Sequence, residues 1–329
     1  MTREGAVDDW VRQQSICITG GRGALGRRLI QRLIAGGASR VVALDSRPAT
    51  RYDEATQSRL VGHVVGSILN PADLDRALLD CTVVFHLAAL VHIGRSELEP
   101  LRYFEVNAFG TAHVLEACRR QGIQRVIYTS TGHVYGIPRQ LPIGEDHPTA
   151  PLSAYAASKL AGEVTVQGYA AKGALLCDIA RLANVYGASF SLETVIGRAL
   201  EQAANGEPIR LRNLAAVRDF IHAGDVVEAL VRLAVAGDKS TGCRIVNVST
   251  GQGVSVLEMA ETLSKIAAEQ GSGWLEVIQT GSGQDELVPR LVLDNHRLSG
   301  LTGWAPQISL EHGLRLALQE FRRQRPQTG

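Results

Sequence analysis

Apolar positions in the first half of the chain switch repeatedly between two spacings. Ser15–Thr19 is a short apolar run that enters glycines at once, and between Ala24 and Ala35 apolar residues recur at helical intervals. The order is strand, turn, helix. A second strand is predicted over 40–44, ending at Asp45, with further buried strands at Val61–Val65, 83–87, 125–129 and Leu176–Leu182. Helices are predicted over 71–79, 104–121 and Ala154–Ala171. This alternation predicts an α/β fold with a doubly wound parallel sheet. Residues 1–14 read as a polar leader. Past residue 182 the alternation gives way to loops rich in Gly, Asn and Pro, a probe of the sheet's limit: a smaller C-terminal α/β region is expected there. Residues 1–182 are read as a dinucleotide-binding domain whose sheet is completed by parts of 218–250, notably a strand over 244–248. Residues 183–329 are read mainly as a substrate-binding domain with a closing helix over 310–322.

Composition narrows the class. At 329 residues and 45% hydrophobic the chain can bury a large core. A net charge of +1 gives no field to steer nucleic acid, so no nucleic-acid partner is expected. The five cysteines are scattered, as in Ile16-Cys17-Ile18, and read as small buried hydrophobes rather than a disulfide or metal framework. The start, MTREGAVDDWVRQQ, lacks the pattern of a secretory signal, and no apolar run reaches the roughly 18 residues of a membrane helix. No membrane partner and a cytoplasmic location are the expectation.

The glycines after the first strand carry chemistry. Gly20, Gly23, Ala24, Leu25 and Gly26 form a Gly-rich turn between strand and helix, and Asp45 follows about 20 residues on at a strand end. Glycines allow backbone N–H groups to approach a pyrophosphate, whose charge a helix N-terminus favours. The context is that of a Rossmann-type dinucleotide site. Asp45 suits both ribose hydroxyls of NAD and would repel the extra phosphate of NADP, although Arg22 and Arg47 lie close enough in sequence to hold that phosphate instead. NAD is the expected cofactor.

Tyr155 and Lys159, four residues apart, share one face of a predicted helix. A phenol with a pKa of about 10 needs a nearby cation to act as a base at neutral pH, and Lys159 is the expected source. Hydroxyls at Thr129, Ser130 and Thr131 sit where a parallel strand would end at the ligand crevice.

With these residues in view, the chain resembles the extended short-chain dehydrogenase/reductase family, in its nucleotide-sugar epimerase branch. The match runs through Thr19 to Gly26, Asp45, His86-Leu87-Ala88-Ala89, Asn107 to Thr111, Thr129 to Gly136, Tyr155 to Lys159, Arg181 to Gly187 and Arg218 to His222. The resemblance implies that Thr131 is the catalytic Ser/Thr beside Tyr155, and that Lys159 also binds the nicotinamide ribose. It implies that Ser67 and Ile68 flank the adenine, that Leu87, Ala88 and Ala89 line the pyrophosphate and ribose, and that Asn107 and Thr129 support the cofactor. Family members usually carry Asp where Ser67 stands. For a substrate nucleotide the resemblance assigns Asn184 and Arg218 to the diphosphate. The loop before Arg218 lacks the usual glycines, and Asp285 lacks the basic residue that normally precedes it, a charge Arg290 is expected to replace. A homodimer formed through the helices over 104–121 and Ala154–Ala171 is also implied.

Dehydratases of this kind carry an acid just after the catalytic Thr, where this chain has Gly132 and His133. His133 is read either as a sugar contact or as a packed loop histidine. The expected function is an NAD-dependent epimerase of a nucleotide sugar, acting by transient oxidation at C4. The alternative is an NAD(P)-dependent dehydrogenase or ketoreductase acting on a sugar, sugar acid or other secondary alcohol.

Overall fold

In the computed structural model, residues 3–48, 58–173, 175–187, 193–236, 242–281 and 288–324 are described. The N-terminal part runs α1 (Arg3–Arg12), β1 (Ser15–Thr19), α2 (Ala24–Ala35), β2 (Arg40–Asp45), β3 (Val61–Val65), α3 (Pro71–Leu78) and β4 (Val83–His86). It continues through α4 (Ile93–Leu98), α5 (Pro100–Phe104), a π turn (Glu105–Phe109), α6 (Gly110–Arg120), β5 (Arg125–Thr131), α7 (Ala154–Ala171) and β6 (Leu176–Leu182). The remainder comprises β7 (Asn184–Tyr186), α8 (Val195–Asn205), β8 (Ile209–Leu211), β9 (Val217–Arg218), β10 (Phe220–His222) and α9 (Ala223–Val235). It closes with β11 (Cys243–Val248), β12 (Val254–Ser255), α10 (Val256–Ala267), β13 (Val277–Gln279), β14 (Arg290–Leu291), α11 (His296–Thr302) and α12 (Leu310–Gln324).

Seven parallel strands form the main sheet in the order β11-β6-β5-β4-β1-β2-β3. Continuous burial along β4 and β5 reflects helices on both faces. One face packs Ile16, Ile18 and Phe85 against Leu29 and Leu33 of α2 and Leu230 of α9. The other packs Cys17, Val84 and Tyr128 against Leu115 of α6 and Val166 of α7. The strand order reverses between β1 and β4, so a crevice opens beyond their C-terminal ends, where ligands of such sheets lie. A third apolar cluster joins α8, α10 and α12 through Leu200, Leu263 and Leu318. Beside it, short strands pair as β7 with β10, β8 with β13, and β9 between β12 and β14.

Two local readings change. Residues 3–12 are helical rather than a leader: Val7 and Val11, one turn apart, are buried, and Asp8 pairs with Arg32 of α2 at 3.0 Å. Two apolar positions are too few to reveal that periodicity. The helix read over 104–121 is interrupted by the π turn, a widening that recurs at functional sites. Asn107 lies within it.

Candidate active site

The glycine turn is defined by what side chains would hit. Gly20 has φ +71°, and a Cβ there would lie 2.8 Å from the Ala88 nitrogen; a Cβ at Gly26 would lie 2.4 Å from the Gly20 carbonyl oxygen. Gly23 caps α2 without a side-chain hydrogen bond, and no acid stands in the helix's first turn. What faces the crevice is therefore backbone and a helix N-terminus, a cradle that fits a pyrophosphate.

At the end of β2, Asp45 accepts hydrogen bonds from the Arg22 and Arg47 amides, both at 3.0 Å, and from Arg47 Nε and Nη2 at 3.1 and 3.2 Å. Burial pushes its pKa up, but the Arg47 guanidinium and the two amides outweigh it and leave it below the ordinary value. The Arg22 guanidinium donates to the Arg47 carbonyl. An anion is thus held where ribose hydroxyls can donate to it. In the next loop the Ser67 amide donates to Asp73 at 2.9 Å, and its hydroxyl accepts from the Leu69 amide at 3.1 Å. Asp73 on α3 therefore brings a carboxylate to the loop where the resemblance expects one at 67. Ile68 is buried against Gly110, whose Cβ would meet Ile68 Cδ1 at 2.6 Å.

Beyond β4 a chain of hydrogen bonds fixes the loop carrying Leu87, Ala88 and Ala89. The Leu87 amide donates to the Thr19 carbonyl at 3.1 Å and the Ala88 amide to Thr19 Oγ1 at 3.3 Å. His86 Nδ1 lies 2.7 Å from Thr19 Oγ1 and Nε2 lies 3.0 Å from Thr111 Oγ1, whose hydroxyl donates to the Asn107 carbonyl at 2.7 Å. Since Thr111 donates onward, it accepts from His86 Nε2–H, and Nδ1 accepts from Thr19. Burial, with Lys159 nearby, pushes His86 down to about 3, so the ring is neutral. Asn107 brackets the Leu90 peptide, accepting from its amide at 2.8 Å and donating to its carbonyl at 2.9 Å, and also donates to Ser158 Oγ at 2.9 Å. The π turn thereby ties the cofactor loop to α7.

Ser153 caps α7 by accepting from the Ala156 amide at 3.1 Å, which sets the helix so that Tyr155 and Lys159 share a buried face. Thr129 Oγ1 donates to the His86 carbonyl at 3.2 Å, locking β5 to β4. Lys159 Nζ stands 4.1 Å above the Tyr128 ring. Burial pushes Tyr155 up to about 12, opposed by the neighbouring Thr131 hydroxyl. Burial likewise pushes Lys159 down to about 7, opposed by Glu163. Lys159 is not among the groups that set the Tyr155 phenol without the nicotinamide. Desolvation outweighs charge here, and Thr131 rather than Lys159 is the group that pulls the phenol back down.

On the far side, Thr131 Oγ1 accepts from the His133 amide at 3.3 Å as the chain turns out of β5. Burial, then the charge of Arg218, pushes His133 down to about 4, which puts those two side chains within electrostatic reach. The buried Arg218 donates through Nη1 to the carbonyls of Val217 at 2.8 Å and Pro289 at 3.3 Å. The Asn184 backbone amide donates to the Asp219 carbonyl at 2.9 Å, while its Oδ1 is buried and meets no donor among the described residues, as an acceptor kept for a ligand would. Arg290 is exposed on β14, opposite Val217 and one register position from Arg218, whose strand partner is Leu291. Asp285 lies outside the described residues.

The sequence profile of the NAD dependent epimerase/dehydratase family matches residues 16–249. The chain belongs to that family. A UDP-glucose 4-epimerase of Mycolicibacterium smegmatis is 33% identical over 323 residues, covering 93% of this chain and 97% of the relative. The solved structure of a UDP-glucose 4-epimerase from Thermotoga maritima with UDP-glucose superposes with a TM-score of 0.84 at 28% identity, over 94% and 99% of the two chains. That of MoeE5 with UDP-glucuronic acid and NAD gives 0.82 at 29%, with the same coverage.

For this member of the epimerase/dehydratase family, sequence reading left several structuring residues without a role. Thr19, His86, Thr111 and Ser158 complete the hydrogen-bond chains above, and Glu163 and Arg181 form a buried pair beside them. All but Glu163 stand within the motif runs that carried the resemblance, so their presence was visible although their partners were not.

Proposed function

We propose that this chain is an NAD-dependent epimerase of a nucleotide sugar that oxidises and re-reduces one carbon, C4, at Thr131, Tyr155 and Lys159. The observation that carries the reading is the burial of Thr131 at the C-terminal end of β5 with Tyr155 and Lys159 on one face of α7, together with a glycine turn that leaves backbone at the crevice. The epimerase relatives and the absence of an acid after Thr131 favour epimerisation over dehydration.

NAD, held by the turn from Gly20 to Gly26 and by Asp45, supplies hydride acceptance and donation and the positive ring that favours a phenolate. Tyr155 takes the proton of the sugar hydroxyl and later returns it. Thr131 hydrogen-bonds the same oxygen, so that it stays placed as its charge changes. Lys159 holds the nicotinamide ribose and favours the ionised phenol. Leu87 to Ala89, Ser67 and Ile68 wall the cofactor, with Asn107 and Thr129 fixing their loops. Asn184 Oδ1 and the Arg218 guanidinium face the nucleotide diphosphate and its neighbours, His133 contacts the sugar as a neutral ring, and Asp285 and Arg290 complete the substrate contacts. On this reading residues 1–182 bind the cofactor and 183–329 mainly the substrate. The test is incubation of purified protein with UDP-hexoses without added cofactor. Interconversion of a C4 pair with no change in bulk NADH absorbance is expected. NADH formed in step with product would instead establish the dehydrogenase alternative, and no C4 conversion would refute the reading.

The same reading includes a cytoplasmic homodimer. Supporting the dimer, Leu98, Leu101, Phe109 and Val164 are exposed on α4, α5, the π turn and α7, which pack together. Supporting the reducing compartment, all five cysteines are free thiols. Among the described residues no helix is long and apolar enough to cross a membrane. Phe109→Glu with Val164→Glu is expected to halve the mass in light scattering; an unchanged mass would place any interface elsewhere.

A further inference from the structure

One buried carboxylate has no part in the mechanism above. Glu163 lies on α7 one turn beyond Lys159 and is 0% exposed. It is held from two strands. Ser130 of β5 donates to Oε1, and Arg181 of β6 donates through Nε at 3.0 and 3.2 Å and through Nη2 at 2.6 Å. Arg181 in turn lies 4.7 Å from the Tyr135 ring centroid and donates to the Glu145 carbonyl at 3.4 Å. The residue before Thr131, the catalytic helix and the segment leading from β5 to α7 thus converge on one buried ion pair. A buried charge this well paired is costly to place and does not stabilise a fold better than apolar packing would, so its location calls for another role.

We propose that Glu163 is a positioning residue of the reaction centre, whose carboxylate bolts α7 to the ends of β5 and β6 and supplies the negative charge that opposes the loss of the Lys159 proton. The groups beside Lys159 are His86 from β4, Tyr128 from β5 and Glu163 from its own helix, with Arg181 of β6 behind Glu163 and Tyr155 one helical turn before it. Glu163 is the one anion in that set, because His86 is neutral and both phenols are protonated in this state. Helical spacing of four residues places it beside Lys159. Burial makes each charge in the set act strongly on its neighbours.

The consequence is a pair of opposite responses. Glu163→Gln keeps the shape and removes the anion, leaving Arg181 and Lys159 as uncompensated cations. The ammonium then loses its proton more readily, and so does the Tyr155 phenol. Arg181→Gln does the reverse by leaving Glu163 unneutralised. A merely structural role would lower stability in both variants without separating them.

The inference rests on the proposed reaction for its turnover readout, so binding of NADH is measured as well. The test is the pH profile of kcat, from pH 5 to 10, together with the pH dependence of the NADH dissociation constant read by fluorescence. Glu163→Gln is expected to displace both profiles toward acid by about one pH unit, and Arg181→Gln to displace them toward alkali. Should either single variant fail to fold, the Glu163→Gln/Arg181→Gln protein, which removes both members of the buried pair together, is expected to show a smaller acid displacement, since Glu163 is the nearer charge to Lys159. Superimposable profiles, or displacement of both single variants in one direction, would overturn the proposal. Wild-type protein that binds NADH with the expected displacements in the variants, yet converts no nucleotide sugar, would refute the reaction and leave this role of Glu163 standing.

Discussion

The two ends of the crevice are built by opposite means. At the turn after β1 the protein keeps side chains out, because a Cβ at Gly20 or Gly26 would overlap backbone, and what remains is a set of N–H groups at a helix N-terminus. At α7 it packs side chains in, with Tyr155, Lys159, Glu163 and Ser158 all buried and joined to β4, β5, β6 and the π turn. A phosphate needs a surface of fixed dipoles, which backbone provides without titrating. Proton transfer needs groups whose charge changes, and those must be tuned by neighbours that only tertiary structure assembles.

Substitutions at the two ends should therefore fail differently. Tyr155→Phe is expected to lower kcat by about 10²–10⁴ while leaving retained NAD nearly unchanged, as measured by turnover and by absorbance after heat release. Loss of the cofactor along with activity would instead make the phenol part of the cradle. Gly20→Val, which meets both the Ala88 backbone and a positive φ, is expected to weaken NAD binding at least about a hundredfold, or about 2.8 kcal/mol. Calorimetry showing wild-type affinity would break the account of the turn. Asn107→Ala links the two ends, since it strands the Leu90 amide and carbonyl and frees Ser158. A stability loss of about 1–3 kcal/mol in urea titration is expected, with turnover falling more than cofactor binding.

The most general effect is one of pH. Burial holds His86 near 3 and His133 and His222 near 4, below the free value of 6.5. Below pH 6.5 protons bind the unfolded chain first. Stability is thus complete above about 6.5 and is lost as the pH falls through the folded values, by roughly 1.4 kcal/mol per unit for each ring. Melting temperatures measured between pH 7.5 and 4.5 should fall. A flat curve would contradict the neutral, desolvated rings described for both ends.

The same contrast explains what could be read in the chain before folding. The glycine spacing, Asp45 and the alternation of strands and helices are local patterns, so the sheet and the cradle were legible. Tyr155 and Lys159 were legible because one helical turn joins them. The link from Asn107 to Ser158, or from Glu163 to Arg181, spans distant segments and has no sequence period. Desolvation was equally invisible: spacing suggested that Lys159 would acidify Tyr155, whereas burial dominates both groups. The helix α1 was missed for a simpler reason, since Val7 and Val11 alone do not make a pattern.

The central claim is that one carbon of the sugar gives up its hydrogen and takes the same hydrogen back while Tyr155 handles the proton. Turnover of UDP-hexose deuterated at C4, in ordinary water without added NAD, tests it most directly. The account predicts C4-inverted product that keeps its deuterium. Product carrying solvent hydrogen at C4 would contradict it.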